Sequence, residues 1–275
     1  MSEASLKVKT LAQLGTAEPW RLGLAHDAPY HMLLWFTRGQ GRMMLEGSRR
    51  GLGPHNAVFI PADSLFSLEP NAQTLGQAVI IPAGTPLRLP DVPRHLRIRD
   101  ALVQTELSGL IEAASREQSQ ARPLAHDALE AHVALISVWL RRQCALDEHV
   151  PNRRTAGERL SQRFTQMIPK NYASGASMAF YAKELGVTPT HLTRTVKAAT
   201  GKTAADLVTE RVVHAARSLL ESTSYPARNI AQHLGFGSAA YFTRFIQQHT
   251  GQSPSQLRKA AVAKNAASKA TPYRK

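Results

Sequence analysis

The strongest constraint on this chain is that it repeats itself. "LGVTPTHLTRTVKAATG" at residues 185–201 is answered by "LGFGSAAYFTRFIQQHTG" at residues 234–251. Ala182, Leu185 and Gly186 match Ala231, Leu234 and Gly235 at an offset of 49. One residue is then inserted, and Thr193, Arg194, Thr200, Gly201 and Leu207 match Thr243, Arg244, Thr250, Gly251 and Leu257 at an offset of 50. The matches gather at a turn, a helix face and a helix stop, so each copy is expected to be a pair of helices hinged at a glycine.

In the first copy the helix over 178–185 is expected to end at Gly186, where a left-handed backbone costs little. Thr188 reads as an N-cap, and Pro189 suits the first helical position. The next helix runs to about Ala199 and stops near Gly201, with Val187, Leu192 and Val196 inward. In the second copy Pro226 opens the first helix, Gly235 ends it and Ser238 caps the second, with Phe236, Phe242 and Phe245 inward. Two helices with a glycine turn form the helix-turn-helix pattern, whose second helix enters the DNA major groove.

The outward side chains are Thr190, His191, Thr193, Arg194 and Lys197 in copy one. In copy two they are Ala239, Ala240, Tyr241, Thr243, Arg244, Gln247 and Gln248. Arginine bonds bidentately to guanine, glutamine suits adenine, and alanine and threonine methyls suit the thymine methyl. The plain alternative is that Arg194 and Arg244 form surface ion pairs. It is weaker for an arginine that recurs in the same register. Between the copies, "TAADLVTERVVHAARSLLESTS" (203–224) reads as an amphipathic connector. About 18 helical residues span ~27 Å, against ~34–36 Å for a turn of DNA, so one connector can present two helices to successive grooves.

Charge divides the chain in the same place. Residues 1–150 hold 15 Lys/Arg and 15 Asp/Glu, whereas residues 151–275 hold 19 against 5, so the whole excess of +14 lies in the second part. A basic part beside a neutral one points to a polyanion. The single cysteine, Cys144, excludes an internal disulfide framework and fits a reducing compartment. No apolar run reaches the ~18 residues of a membrane span, and "MSEASLKVKTLAQLG" lacks a signal-peptide core, so the expected setting is the cytoplasm.

The neutral part begins with short apolar runs between turn signals: "HMLLWFT", "RMMLEG", "NAVFIP" and "QAVIIPAG". Such spacing suggests a small β-barrel or sandwich. Helical spacing takes over at 101–120 and 124–144. In the second of these segments Leu129, Val133, Ile136 and Leu140 form one stripe, which serves either packing onto the β-domain or a dimer seam; a stripe cannot name its partner.

The paired units, the connector "ERVVHAARSLLESTS" and the run "IAQHLGFGSAAYFTRFIQQHTGQSPSQLR" closely resemble the AraC/XylS class of bacterial transcription regulators over about residues 160–259. The resemblance implies DNA contacts from Thr190, His191, Thr193, Arg194 and Lys197, then Ala239, Ala240, Tyr241, Thr243, Arg244 and Gln247. The chain departs from that pattern at Ile246, Gln247 and Gln248, where a basic residue or two is usual. The neutral part is similar to the family's cupin-like sensor domain, through "WFTRGQGRMMLEG" and "GPHNAVFIPADSLFSL". Metal cupins use a His/Glu constellation. Here His26 is met by Ala28, Met32 and Phe66 at the other ligand positions, so no metal, cofactor or catalytic residue is expected. His31, Leu33, Trp35, Met44 and Phe59 are the expected wall of an effector pocket, unless they simply fill the barrel.

The expected architecture is α+β and multidomain: a cupin-like β-barrel with trailing helices, then an all-α domain of two helix-turn-helix units joined by a linking helix. The expected boundaries are 1–100 for the barrel, 101–146 for packing or dimerising helices, 147–157 for a linker, 158–260 for the DNA-binding domain and 261–275 for a disordered basic tail. The expected function is a sequence-specific transcription regulator, not an enzyme. Its expected partners are double-stranded promoter DNA, a small-molecule effector, a second copy of the chain and RNA polymerase, with no membrane. Two alternatives are a cupin-type enzyme with a DNA-binding appendage and a nonspecific architectural DNA binder.

Overall fold

Alternation of side chains along eight short strands decides the N-terminal architecture. The computed structural model describes residues 5–16, 18–120, 122–146 and 154–270. The strands are β1 (Lys7–Thr10), β2 (Tyr30–Arg38), β3 (Gly41–Leu45), β4 (Ser48–Leu52), β5 (Asn56–Ile60), β6 (Phe66–Pro70), β7 (Leu75–Pro82) and β8 (Arg94–Arg97). The short helix α1 (Pro19–Gly23) lies between β1 and β2. The expected barrel takes the form of two antiparallel sheets, one in the order β1-β7-β2-β5-β8, the other β4-β3-β6.

The inner strands of the larger sheet, β7, β2 and β5, are largely apolar on both faces, because both faces are covered. Met32, Leu34 and Phe36 of β2 turn toward the smaller sheet and pack with Met43, Leu45, Phe66 and Leu68. Leu33 and Trp35 turn the other way, onto α2 (Ala101–Ser119) and α3 (Ala125–Cys144). Leu129, Val133, Ile136 and Leu140 complete that second layer, each at most 4% exposed. The apolar stripe of α3 is therefore consumed by the protein's own core and is not a dimer seam. The Trp35 indole donates to Ser108 Oγ at 3.0 Å, which satisfies its one polar atom inside this layer.

From Ala156 the described chain is helical: α4 (Ala156–Asn171), α5 (Met178–Glu184), α6 (Pro189–Thr200), α7 (Ala204–Ser222), α8 (Ala227–His233), α9 (Ala239–Thr250) and α10 (Pro254–Ala270). Thr155 caps α4 in a reciprocal box with Glu158. Helix α10 continues to Ala270, so residues 261–270 are helical where the composition predicts a disordered tail. Residues 271–275 lie outside the described residues, as does most of the expected linker.

The two domains share apolar core. Ala25, Met44 and Leu65 from the β-domain pack with Phe164, Ile168, Tyr181, Leu192, Val196 and Leu207 of the helical part. The second helix-turn-helix unit has its own core, built from Ala215, Ala216, Leu220, Ile230, Leu234, Phe242, Ile246 and Leu257.

Leu140, 1% exposed, sits where truncation leaves a void. Leu140→Ala is expected to cost about 2–5 kcal/mol, read as a lower urea midpoint. A change in sedimentation with no loss of stability would instead place this face between molecules.

Candidate nucleic-acid interface

The duplication seen in the sequence is a duplication of backbone. Helices α5 and α8 each have seven residues, and α6 and α9 each have twelve. Each short helix ends at a glycine in the left-handed region, Gly186 at φ 70° and Gly235 at φ 76°. Each long helix is capped by a hydroxyl: Thr188 Oγ1 accepts from the His191 amide at 3.2 Å, and Ser238 Oγ from the Tyr241 amide at 3.1 Å. The stops are duplicated as well. Thr200 Oγ1 lies 2.8 Å from the Val196 carbonyl and 3.0 Å from that of Lys202. Thr250 Oγ1 repeats this at 2.7 Å to Ile246 and 3.0 Å to Gln252. Thr203 with Asp206, and Ser253 with Gln256, then cap the next helices. These caps fix where α6 and α9 begin and end, and so which side chains point outward.

Thr190, His191, Arg194 and Lys197 are exposed on α6, with Thr193 half-buried. Ala239, Ala240, Tyr241, Arg244 and Gln247 are exposed on α9, again with the threonine, Thr243, half-buried. Leu192 and Val196 of α6, and Phe242 and Ile246 of α9, are fully buried at matching positions. Ile246 thus occupies the core register of Val196, and its apolar character is a packing requirement. Arg194 reaches only His191 Nδ1, at 3.4 Å, and neither Arg194 nor Arg244 has a carboxylate partner among the described residues. The ion-pair alternative therefore finds no acid here.

The back of this surface is held by the β-domain through α7. Glu210 of α7 accepts from the Ala25 amide at 2.9 Å. Arg211 pairs with Asp27, both side chains nearly buried, and lies 3.8 Å over the Tyr172 ring. His214 stacks on His26 with ring centroids 4.2 Å apart. Each imidazole donates to a carbonyl, His26 Nδ1 to Leu24 at 2.8 Å and His214 Nε2 to Arg21 at 3.1 Å, which sets the tautomer of each neutral ring. Burial, reinforced by Arg211, holds His26 down at about 4. Burial and the facing His26 hold His214 lower still. This cluster has no signature in the sequence, because its partners lie more than 180 residues apart.

The expected pocket wall is divided between two faces, with Met44 apart from the other four. Leu33, Trp35 and Phe59 belong to the layer under α2 and α3, on the opposite face of the sheet from the space between the sheets. His31 shares their side of β2; its Nδ1 accepts from the Ala62 amide at 3.1 Å, and its ring stacks on Phe59. Met44 faces the helical domain. His31, Leu33, Trp35 and Phe59 thus share one side of the sheet, while Met44 lies in the layer shared with the helical domain. Among the described residues no three His, Cys, Asp or Glu side chains are placed to hold a metal, and His26, spent on Leu24 and His214, does not fit such a role. No described helix is long and apolar enough to cross a membrane.

A family model described as a helix-turn-helix domain matches residues 181–260. This part of the chain is an AraC-type helix-turn-helix domain. The bifunctional transcriptional activator/DNA repair enzyme AdaA of Bacillus subtilis is 31% identical over 94 residues, covering 34% of this chain and 44% of that protein. The virulence regulon transcriptional activator VirF of Yersinia enterocolitica is 28% identical over 110 residues, covering 40% of this chain and 41% of that one. The chain thus spans less than half the length of these relatives. The likeness to AdaA covers only the AraC-type domain. Among solved structures, ToxT of Vibrio cholerae aligns over 93% of this chain and 97% of its own at 11% identity, with a TM-score of 0.40. The C-terminal domain of AraT from Geobacillus stearothermophilus aligns over 38% of this chain and 88% of its own at 29% identity, with a TM-score of 0.36.

The AraC-type domain yields two tests. A Cβ on Gly186 meets nothing within 4 Å, whereas one on Gly235 falls 2.5 Å from the Ala173 carbonyl oxygen and 2.9 Å from the Gly175 nitrogen. Both substitutions to alanine carry the strain of positive φ, of order 1 kcal/mol, and Gly235→Ala is expected to lower the thermal midpoint further than Gly186→Ala; equal losses would mean that the α4–α5 turn yields freely.

The second test is pH. An unfolded histidine protonates near 6.5, and the buried pair only well below that. Their contribution to stability is therefore complete above pH 6.5 and is lost as pH falls toward about 4. His214→Gln is expected to flatten that decline in urea titrations across this window.

Proposed function

We propose that this chain is a sequence-specific, DNA-binding transcription regulator. In this reading α6 and α9 enter adjacent major grooves of double-stranded promoter DNA, and the β-domain supplies the regulatory input. The observation that carries it is the recurrence of one exposed arginine, Arg194 and Arg244, at the same position of two identically capped twelve-residue helices. Helix α7, nineteen residues and so ~28 Å long, joins the two units at a scale comparable with one turn of DNA, ~34–36 Å.

The two units have different chemistry. Copy one offers Arg194 and Lys197, suited to guanine and phosphate. Copy two offers Arg244 with Gln247, suited to guanine and adenine, and Ala239, Ala240 and Tyr241 at the start of the helix. A chain that reads two such half-sites prefers one orientation on an asymmetric site. The repair activity in the name of AdaA is not carried over, because the likeness covers only the shared domain. Contacts with a second copy or with RNA polymerase use surfaces other than the α3 stripe, which the fold consumes.

Arg194→Ala and Arg244→Ala are each expected to weaken binding to a selected site by about 1–3 kcal/mol and to relax preference at different base positions. Selection from random duplexes, followed by competition against unselected DNA, measures both effects. Equal weakening on every sequence would make the arginines phosphate contacts, and the absence of any selected sequence would make the protein a nonspecific binder.

A further inference from the structure

The contact between α7 and the β-domain can be ionised from both sides. His214 of α7 and His26 of the β-domain stack with their planes 11° apart and their centroids 4.2 Å apart. Trp20 of α1 flanks His214 at 5.4 Å, and Phe66 of β6 flanks His26 at 4.2 Å. Each ring donates to a carbonyl of the β-domain, and for His214 that bond crosses the domain boundary.

The acids around the pair are already committed. Asp27 faces His26 but is paired with Arg211, the guanidinium that faces both rings. Arg21 also faces His214, and it shares Glu221 with Arg217, whose guanidinium lies over Trp20. Glu18 is paired with Arg21 and Lys264. Glu210 takes Lys202 and the Ala25 amide. Two imidazolium rings in this stack would repel each other and the two arginines.

We propose that the His26–His214 pair is an acid-sensitive latch: mild acid releases α7, and with it both helix-turn-helix units, from the β-domain before either domain unfolds. Released rings return to water, where histidine titrates near 6.5. Docking then requires both to shed a proton, so it is complete above pH 6.5 and weakens as pH falls. The ratio of docked to released chains drops by about three orders of magnitude between pH 7.5 and 5. This holds while the docked rings stay neutral, which for His26 extends down to about pH 4. Each domain keeps a core of its own on release, since the β-domain lends only Ala25, Met44 and Leu65 to the core of the first unit. Histidine clusters at an interface act as pH switches in this way. The latch concerns docking alone and does not depend on what the helical domain binds.

Small-angle scattering and far-UV circular dichroism of the full chain, without DNA, test this from pH 7.5 to 4.5 at constant ionic strength. The radius of gyration is expected to rise below pH 6.5, reversibly and with secondary structure unchanged, along a curve that takes up about two protons. His26→Asn keeps a donor in place of Nδ1, and His214→Gln keeps one in place of Nε2. Each is expected to move the rise to lower pH and to cut the uptake to about one proton. The double variant is expected to stay compact throughout, and His126→Gln, on the exposed side of α3, to follow the parent. No rise in the parent, a rise only together with loss of secondary structure, or a double variant that opens where the parent does, overturns the latch. If the double variant is already expanded at pH 7.5, the single variants decide, and the parent's midpoint and proton uptake in both overturn it. Because DNA is absent, failure of sequence-specific binding leaves this result standing, and failure of the latch leaves the regulator standing.

Discussion

Helix α7 is the member on which the other parts are positioned. Its three faces meet three partners. Leu207 closes the core of the first helix-turn-helix unit, Ala215, Ala216 and Leu220 close the core of the second, and Glu210, Arg211 and His214 bind the β-domain. A helix is stiff over this length, so fixing it fixes both recognition helices together. Breaking a buried pair such as Arg211–Asp27 by removing one partner strands a charge and costs ~3–5 kcal/mol. The polar face of α7 is therefore held as firmly as its apolar ones.

The domains are joined asymmetrically. The first unit shares apolar core with the β-domain through Met44, Ala25 and Leu65, whereas the second packs on α7, α10 and the turn after α4. Movement of the β-domain would act directly on α6, and on α9 through α7 and through α10, whose Lys264 pairs with Glu18. A ligand shifts such an arrangement only by binding one form better than another, and the contacts able to differ are those that cross the domain boundary, among them Asp27 with Arg211, His26 with His214, and Glu69 with Lys202. These three lie away from the exposed side chains of α6 and α9.

The helical domain is legible in the sequence because its signals are local. A cap, a glycine stop and a 3.6-residue period all act within four or five residues, and a duplicated unit presents each of them twice. Even the role of Thr203 and Asp206 lies within reach, as a threonine followed three residues later by an acid. The β-domain is legible only as strands. Which face of β2 turns inward is not, because β2 is apolar on both faces and alternation alone assigns neither. Trp35 and Phe59, expected at a pocket, lie under α2 and α3, while Met32 and Phe36 face the other sheet. The α3 stripe suits two uses in the sequence, and the structure spends it on the β-domain.

The sequence by itself determined the two helix-turn-helix units, the residues they expose and the concentration of positive charge beside them, because hydrogen bonds and periodicity within a few residues specify these. The tertiary structure alone decided which apolar faces meet, that the β-domain and the first unit share a core, and that Asp27, His26 and Glu69 reach across to α7 and Lys202. Those pairings join residues more than 130 positions apart. Neither partner's local sequence shows the other, since burial and charge become constraints on a partner only once the chain has brought the two surfaces together.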